Sequence, residues 1–452
     1  MTTKEALTKS VKIANGIFLV GALVCLFVLL FVLWKSNFTL DKVITKQIIA
    51  PIICLILFLS ALKLKAKIKV NVTLILISLI LSLYAFEIFI YLWVPKNRID
   101  IVKDAKEAGI SFDRRTKLQV LHDLRKNGVN AYPIVFPSRL LPKGLKPDFY
   151  FLGNISKATT ILCNEGGEYV IYLSDKYGFN NPPDSWETGQ PDLMMVGDSF
   201  VQGICVKPGE DMTGQLRKLG WNGLNVGMGG NGPLFELATL KEYVEPMRPK
   251  NVLWVYYEDN DLIDFQKEKE STILLKYMQN DFLQNLINRQ EEIDNILRDY
   301  IKKEIENENN NYRTQNKLLN FLRLSHIQTM LIRFNKGAET ETISTPQPDL
   351  LFQEILKQAR DRVSQWGGNL YFVYLPHFQR YSKNADYDKL RHRQDVLSIA
   401  RKLEIPIIDL HEEVLAKHKD PLSLIPLRLY GHYNAEGYKL FAEAIDRHLK
   451  QK

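Results

Sequence analysis

From Pro191 to its end the chain alternates short, uninterrupted apolar runs with amphipathic stretches. Leu193 to Val196, Gly223 to Val226, Asn251 to Tyr257, Asn369 to Tyr374 and Pro406 to Leu410 read as strands. Asp211 to Leu219, Leu234 to Tyr243, Leu350 to Gln365, Ala385 to Leu403 and Ala435 to Leu449 read as helices between or after them. Strands alternating with helices predict an α/β fold with a parallel sheet covered on both faces. The run Val252-Leu-Trp-Val-Tyr256 is apolar at successive positions, as a strand buried on both sides requires.

Residues from about Asp264 to Gly337 interrupt this pattern. They are rich in Lys, Glu, Asn and Gln with helical periodicity and include the polar run Glu306 to Asn311, which predicts a helical insertion with a flexible tip. Such an insertion is either a solvated hairpin or a lid or docking element over an active site. Residues 96–190 read as a mixed linker or accessory region. It has a charged helical stretch around Lys103 to Lys126, Pro-rich Tyr132 to Pro147, β-like runs at Phe149 to Leu152 and Tyr169 to Leu173, and a turn-rich Asp175 to Pro183.

Residues 1–95 form a different region. Ile13 to Trp34, Ile48 to Leu62 and Val70 to Val94 predict three transmembrane helices, the second short enough to need snorkelling lysines at its ends. Two further spans after the first, and no small-residue cleavage site, argue against a cleaved signal peptide. Lys63, Lys65, Lys67 and Lys69 crowd the short second loop, which predicts that this loop and the N-terminal tail (Lys4, Lys9, Lys12) face the cytoplasm. Lys35, Lys42 and Lys46 on the other loop dilute the asymmetry. Three spans then place everything beyond Val94 outside the cytoplasmic membrane, in the periplasm where a second membrane exists. Glu87, inside the third span, is expected to point at neighbouring helices or headgroups rather than to act chemically.

For 452 residues a formal charge of +8 is modest, and the lysines are spread, so a nucleic-acid partner is not indicated. Of four cysteines, Cys25 and Cys54 fall in the spans, while Cys163 and Cys205 lie where a disulfide is allowed but where spacing does not test it. No Cys/His spacing suggests a metal, and no motif calls for a cofactor.

Four polar segments stand at strand ends or before the last helix. Gly197-Asp198-Ser199-Phe200 follows the first apolar run, where a serine is either a nucleophile or a helix cap. Asn225-Val-Gly-Met-Gly-Gly-Asn-Gly-Pro233 follows the next; its glycines can aim N–H groups into a crevice, and it lacks the lysine of a phosphate-binding loop. Glu258-Asp-Asn-Asp-Leu262 follows the third and offers Asn260 as an oxyanion donor or a plain polar loop. Gly431-His432-Tyr433-Asn434 precedes the final helix, with His432 as a base or a loop histidine.

In that order, Ser, Gly loop, Asn, His, the segments resemble the four blocks of the SGNH (GDSL-type) hydrolase family, here as a membrane-anchored bacterial member. The likeness runs from about Pro191 to the C-terminus, the insertion excepted. Phe200 stands in the usual Leu place, Gly230 lies five residues after Asn225, and Asn260 lacks the customary preceding glycine, Glu258 and Asp259 standing there instead. The resemblance implies a three-layer α/β/α flavodoxin-like domain and a serine ester hydrolase working through an acyl-enzyme. It casts Ser199 as nucleophile and His432 as base, with Ser199 N–H, Gly230 N–H and Asn260 Nδ2 forming the oxyanion hole. The family's last block carries Asp three residues before its histidine, where this chain has Leu429. Asp409, ending the preceding strand, is the orienting acid expected in its stead, with Glu436 or a backbone carbonyl as substitutes. An anchored external domain of this type further resembles proteins that remove or add acyl groups, often acetyl, on envelope carbohydrate. Hydrolysis is the first expectation. Transfer to a glycan hydroxyl, alongside a membrane acyltransferase partner, is the second, and a glycan-binding scaffold with a decayed site the third.

Overall fold

The computed structural model describes the chain except residues 1–2, 36–41, 94–100, 143, 147–148, 315–320, 339–345, 383–384, 386–389, 429–430 and 452. It divides into two compact units, Met1–Asn97 with Thr314–Glu339, and Arg98–Arg313 with Thr340–Lys452.

In the larger unit a small sheet comes first: β1 (Ala131–Pro133), β2 (Thr159–Cys163) and β3 (Val170–Leu173). β1 runs parallel to β2, and β3 antiparallel to it. The apolar runs follow as β4 (Leu193–Val196), β5 (Gly223–Asn225), β6 (Asn251–Tyr257), β7 (Asn369–Leu375) and β8 (Ile407–Asp409). They form one sheet in the order β5-β4-β6-β7-β8, with every neighbouring pair parallel.

Successive side chains on a strand point to opposite faces. Met194, Val196, Val252, Trp254 and Phe372 enter one apolar core, while Leu193, Met195, Leu253, Val255 and Val373 enter another. Helices Pro233–Thr239, Leu350–Gln365 and Arg393–Lys402 cover the first face; Met212–Lys218 and Ala435–Lys450 cover the second. Neither face meets water, so the strands need no polar alternation. Each large apolar side chain buried this way contributes roughly 1.5–3 kcal/mol.

The strand order locates the crevice. From β4 the chain crosses one face to β5, and from β6 it crosses the other face to β7, so the connections diverge at the carboxyl ends of β4 and β6. Ligands of open α/β sheets bind at such a switch point.

Residues expected as a linker or accessory region share this core, since Ile134, Tyr150, Phe151, Phe179 and Trp186 pack in the first cluster. The turn-rich lead-in is organised by buried Asp175, which accepts from Trp186 Nε1 (2.6 Å), Asn181 Nδ2 (2.8 Å) and the N–H groups of Tyr177 and Phe179 (2.8 and 3.0 Å). The insertion also differs from expectation. Leu274, Tyr277, Leu286, Ile293, Leu297 and Ile301 are core residues, and Glu306 to Asn311 continue the helix Gln290–Thr314 instead of breaking into a tip. That helix contains neither Pro nor Gly to stop it.

The smaller unit holds helices Thr3–Lys35, Lys42–Ala61 and Ala66–Trp93. Within them Glu5–Leu33 and Ala66–Tyr91 are long and apolar enough to cross a membrane, and Ile48–Ala61 is shorter. The expected end of the third span, Val94, lies outside the described residues. One of the four loop lysines is engaged between helices: Lys69 is buried, with Nζ donating to Asn15 Oδ1 (2.8 Å) and Leu62 O (2.9 Å). Glu87 is fully buried and caps the helix Ser325–Ala338, accepting from the N–H groups of His326 and Ile327 at 2.9 Å each. A carboxylate there satisfies donors that have no partner within their own helix. The acid thus faces a helix from the insertion, which sequence adjacency could not reveal.

Candidate active site

β4 ends in Gly197, and Asp198 caps the short helix Ser199–Gln202 by accepting from Phe200 N–H at 2.8 Å. Ser199 is the first residue of that helix, where a backbone N–H has no intrahelical acceptor. Asn260 follows β6 at the other side of the switch point.

The glycine-rich loop after β5 is held from three directions. Met228 N–H donates to Gly197 O (3.2 Å), Gly229 N–H to Gln202 Oε1 (2.9 Å), and Gly232 and Leu234 N–H to the Glu268 carboxylate (2.5 and 2.9 Å). Burial pushes the Glu268 pKa up to about 8, against those backbone donors. Gly230 has φ +75°, and a Cβ there would stand 2.3 Å from Ser138 Oγ. A side chain at that position would be strained and would have to displace Ser138. Its N–H has no acceptor among the described residues.

His432 Nε2 lies 2.8 Å from Ser199 Oγ. The other ring nitrogen, Nδ1, lies 3.0 and 3.2 Å from the two oxygens of Glu165, and His432 N–H donates to Glu165 Oε2 at 2.8 Å. Phe200 packs on the imidazole, ring centres 4.6 Å apart. Burial would raise the Glu165 pKa, but the hydrogen bond and charge of His432 outweigh it and hold the carboxyl below its usual range. Gly431 makes the contact possible: its φ is +103°, and a Cβ would stand 2.4 Å from Glu165 Oε2.

Asp409 is therefore not the acid on this histidine. Its carboxylate is ion-paired with Arg393 and accepts from His411 N–H (3.0 Å) as the cap of helix Leu410–Glu413. Glu436 is exposed and faces Lys439 at 3.7 Å. Leu429 lies outside the described residues.

Glu165 precedes the stretch that carries the family likeness, in the turn after β2. The sequence reading did not find it, because spacing left the pairing of Cys163 with Cys205 open. Cys163 and Cys205 form a disulfide with Cα atoms 5.5 Å apart, tying the Glu165 turn to the loop after the nucleophile helix. The Cys163→Ser/Cys205→Ser protein is expected to lose about 2–4 kcal/mol of stability, measured as a shift in denaturant midpoint. In that variant the Glu165 turn also loses its tether to the loop after the nucleophile helix.

On the Asn260 amide, Nδ2 donates to Asp264 Oδ2 (2.9 Å) and reaches Asp198 Oδ2 at 3.4 Å. Two carboxylates on one side decide which amide atom is nitrogen. Buried Asp198 has its pKa pushed up to about 6 by desolvation, opposed by Phe200 N–H and the charge of His432. Among the described residues no cluster of acids, histidines and cysteines is arranged to hold a metal.

No protein-family model matches the chain, and no curated protein does. The chain is similar to solved lipolytic and carbohydrate esterases. One is a lipolytic protein of the G-D-S-L family from Desulfitobacterium hafniense, at 13% identity and TM-score 0.32, covering 56% of this chain and 97% of that one. An acetyl xylan esterase matches at 12% identity and TM-score 0.30, over 57% of this chain and 98% of its own. A lipase/acylhydrolase from Enterococcus faecalis matches at 12% identity and TM-score 0.32, over 57% and 95%.

Proposed function

We propose that the chain is a membrane-anchored serine ester hydrolase that removes acyl groups, acetyl foremost, from carbohydrate outside the cytoplasm. One observation carries the reading: a serine hydroxyl 2.8 Å from an imidazole nitrogen whose partner nitrogen faces a carboxylate, all at a sheet switch point. Ser199 Oγ attacks the ester carbonyl carbon while His432 Nε2 takes its proton, and Glu165 stabilises the imidazolium formed. Collapse of the tetrahedral intermediate breaks the bond to the alcohol, which leaves with the proton from Nε2. Water then repeats the sequence on the acyl-enzyme and releases the acid and free Ser199.

Ser199 N–H, Gly230 N–H and Asn260 Nδ2 serve as oxyanion donors in this reading. The second hydrogen of Asn260 Nδ2, held only at 3.4 Å by Asp198, is the one free to turn to the developing charge. Asn260→Ala should lower kcat by about 10²–10³-fold with little change in KM, read from steady-state kinetics on p-nitrophenyl acetate.

Two features support the location. The disulfide suits an oxidising compartment, and the lysine-rich loop between helices suits the cytoplasmic side. The cleft beside His432 mixes charged, amide and aromatic groups, among them Arg115, Asn164 and Phe136, which suits a sugar better than a long acyl chain. Dependence of p-nitrophenyl acetate hydrolysis on Ser199 is the test.

A further inference from the structure

A cleft of about 840 Å³ opens beside the His432–Glu165 pair, and its charge is one-sided. Arg114, Arg115, Lys117 and Arg139 line it, against the carboxylates of Asp113 and Glu165. Both acids are already engaged. Arg115 grips Asp113 through Nε (3.1 Å) and Nη2 (2.7 Å) and reaches Asp123 with Nη1 (2.8 Å), while Glu165 holds His432.

Arg114, Lys117 and Arg139 have no carboxylate within ion-pair distance among the described residues. Arg114 and Arg139 are exposed, and the Arg139 guanidinium stands 5.1 Å from the Phe136 ring centre. Lys117 is half-buried, with Nζ donating to Leu162 O at 2.6 Å. Burial, and next the charge of Arg139, push its pKa down to about 8, with Glu308 acting in the opposite sense. Glu304 and Glu308 line a second groove that shares Lys117, Phe136 and Arg139 with the cleft. An ammonium held among like charges and partly out of water is a group that a bound anion would stabilise.

We propose that this cleft binds the anionic groups, carboxylate or phosphate, of an acidic glycan. It rests on the esterase reading for its consequence, which is selection of a negatively charged carbohydrate as the alcohol side of the ester. Guanidinium forks suit planar carboxylate and phosphate oxygens, and the half-buried ammonium adds a point charge to the same cleft. A concave site lined by His432 and Glu165 fits a chain threaded past the pair, rather than a flat lipid surface.

The test measures binding, so it stands apart from catalysis. Full-length Ser199→Ala protein in detergent is titrated with hexagalacturonate, with a phosphorylated oligosaccharide and with neutral xylohexaose. At least one anionic probe should bind about tenfold or more tighter than xylohexaose at low salt, with the preference shrinking at high salt as exposed charges are screened. The preferred probe tells carboxylate from phosphate. Adding Lys117→Met with Arg139→Ala should abolish the preference, and Arg114→Ala alone should reduce it several-fold, with melting temperatures reporting the fold of each. Equal affinity for charged and neutral probes would overturn the proposal, as would a preference untouched by these substitutions. Binding to phosphatidylglycerol vesicles without oligosaccharide binding would overturn it too. Loss of p-nitrophenyl acetate hydrolysis in the parent chain would sink the esterase reading but leave the binding result standing.

Discussion

Ser199→Ala is expected to lower kcat for p-nitrophenyl acetate by about 10⁴–10⁶-fold with KM nearly unchanged. The hydroxyl is the atom that forms the acyl bond in the proposed mechanism, and among the described residues no other hydroxyl is hydrogen-bonded to His432 Nε2. His432→Ala should cost a similar amount, and the double variant should be little worse than either single. Residues that act as one unit are not additive: once the proton acceptor is gone, the nucleophile has nothing left to lose. Steady-state rates of the three variants decide this. Hydrolysis at the parent rate in Ser199→Ala would end the serine-hydrolase proposal.

Glu165→Gln should lower kcat by about 10³–10⁴-fold, while Asp409→Asn stays within a few-fold of the parent chain. The amide keeps the size of the carboxylate but removes the charge that would stabilise the imidazolium, and its NH₂ can face Nδ1 and impose the wrong tautomer. Asp409 has no such contact, since Arg393 holds its carboxylate. The reverse ranking would restore Asp409 as the orienting acid. A second readout comes from stability against pH. Because the folded pKa of Glu165 is depressed, its contribution is present above the unfolded carboxyl value of about 4.3 and is lost as pH falls through the folded value. Glu165→Gln should therefore flatten the acid limb of the denaturation midpoint plotted against pH.

Much of the fold could be read along the chain because the relevant signals are local. Val252 to Tyr256 had to be a strand buried on both faces, and the sheet places its alternate residues in two separate cores. Ser199, the Gly230 loop and Asn260 each follow a strand within a few residues, so their positions at the crevice follow from parallel strands all ending on one side. Other assignments depended on contacts between distant segments. The insertion read as either a solvated hairpin or a lid or docking element, yet Leu274, Leu286 and Ile293 are core. Glu87 looked like an isolated acid in an apolar span until the helix Ser325–Ala338 was seen to begin on it.

The orienting acid shows the division most clearly. By itself the sequence determined the strand–helix alternation, the apolar N-terminal helices and the order of serine, glycine loop, asparagine and histidine. These are written in periodicity and in residues next to strand ends. Only the tertiary structure decided what faces His432 Nδ1. Asp409 ends a strand and Glu165 stands two residues past one, and local sequence does not say which reaches the imidazole. Arg393 neutralises the first across a helix–strand contact, while the disulfide from Cys163 to Cys205 and the missing side chain of Gly431 bring the second to the imidazole. Which carboxylate reaches a base is a property of three-dimensional packing, and packing joins residues that the chain keeps far apart.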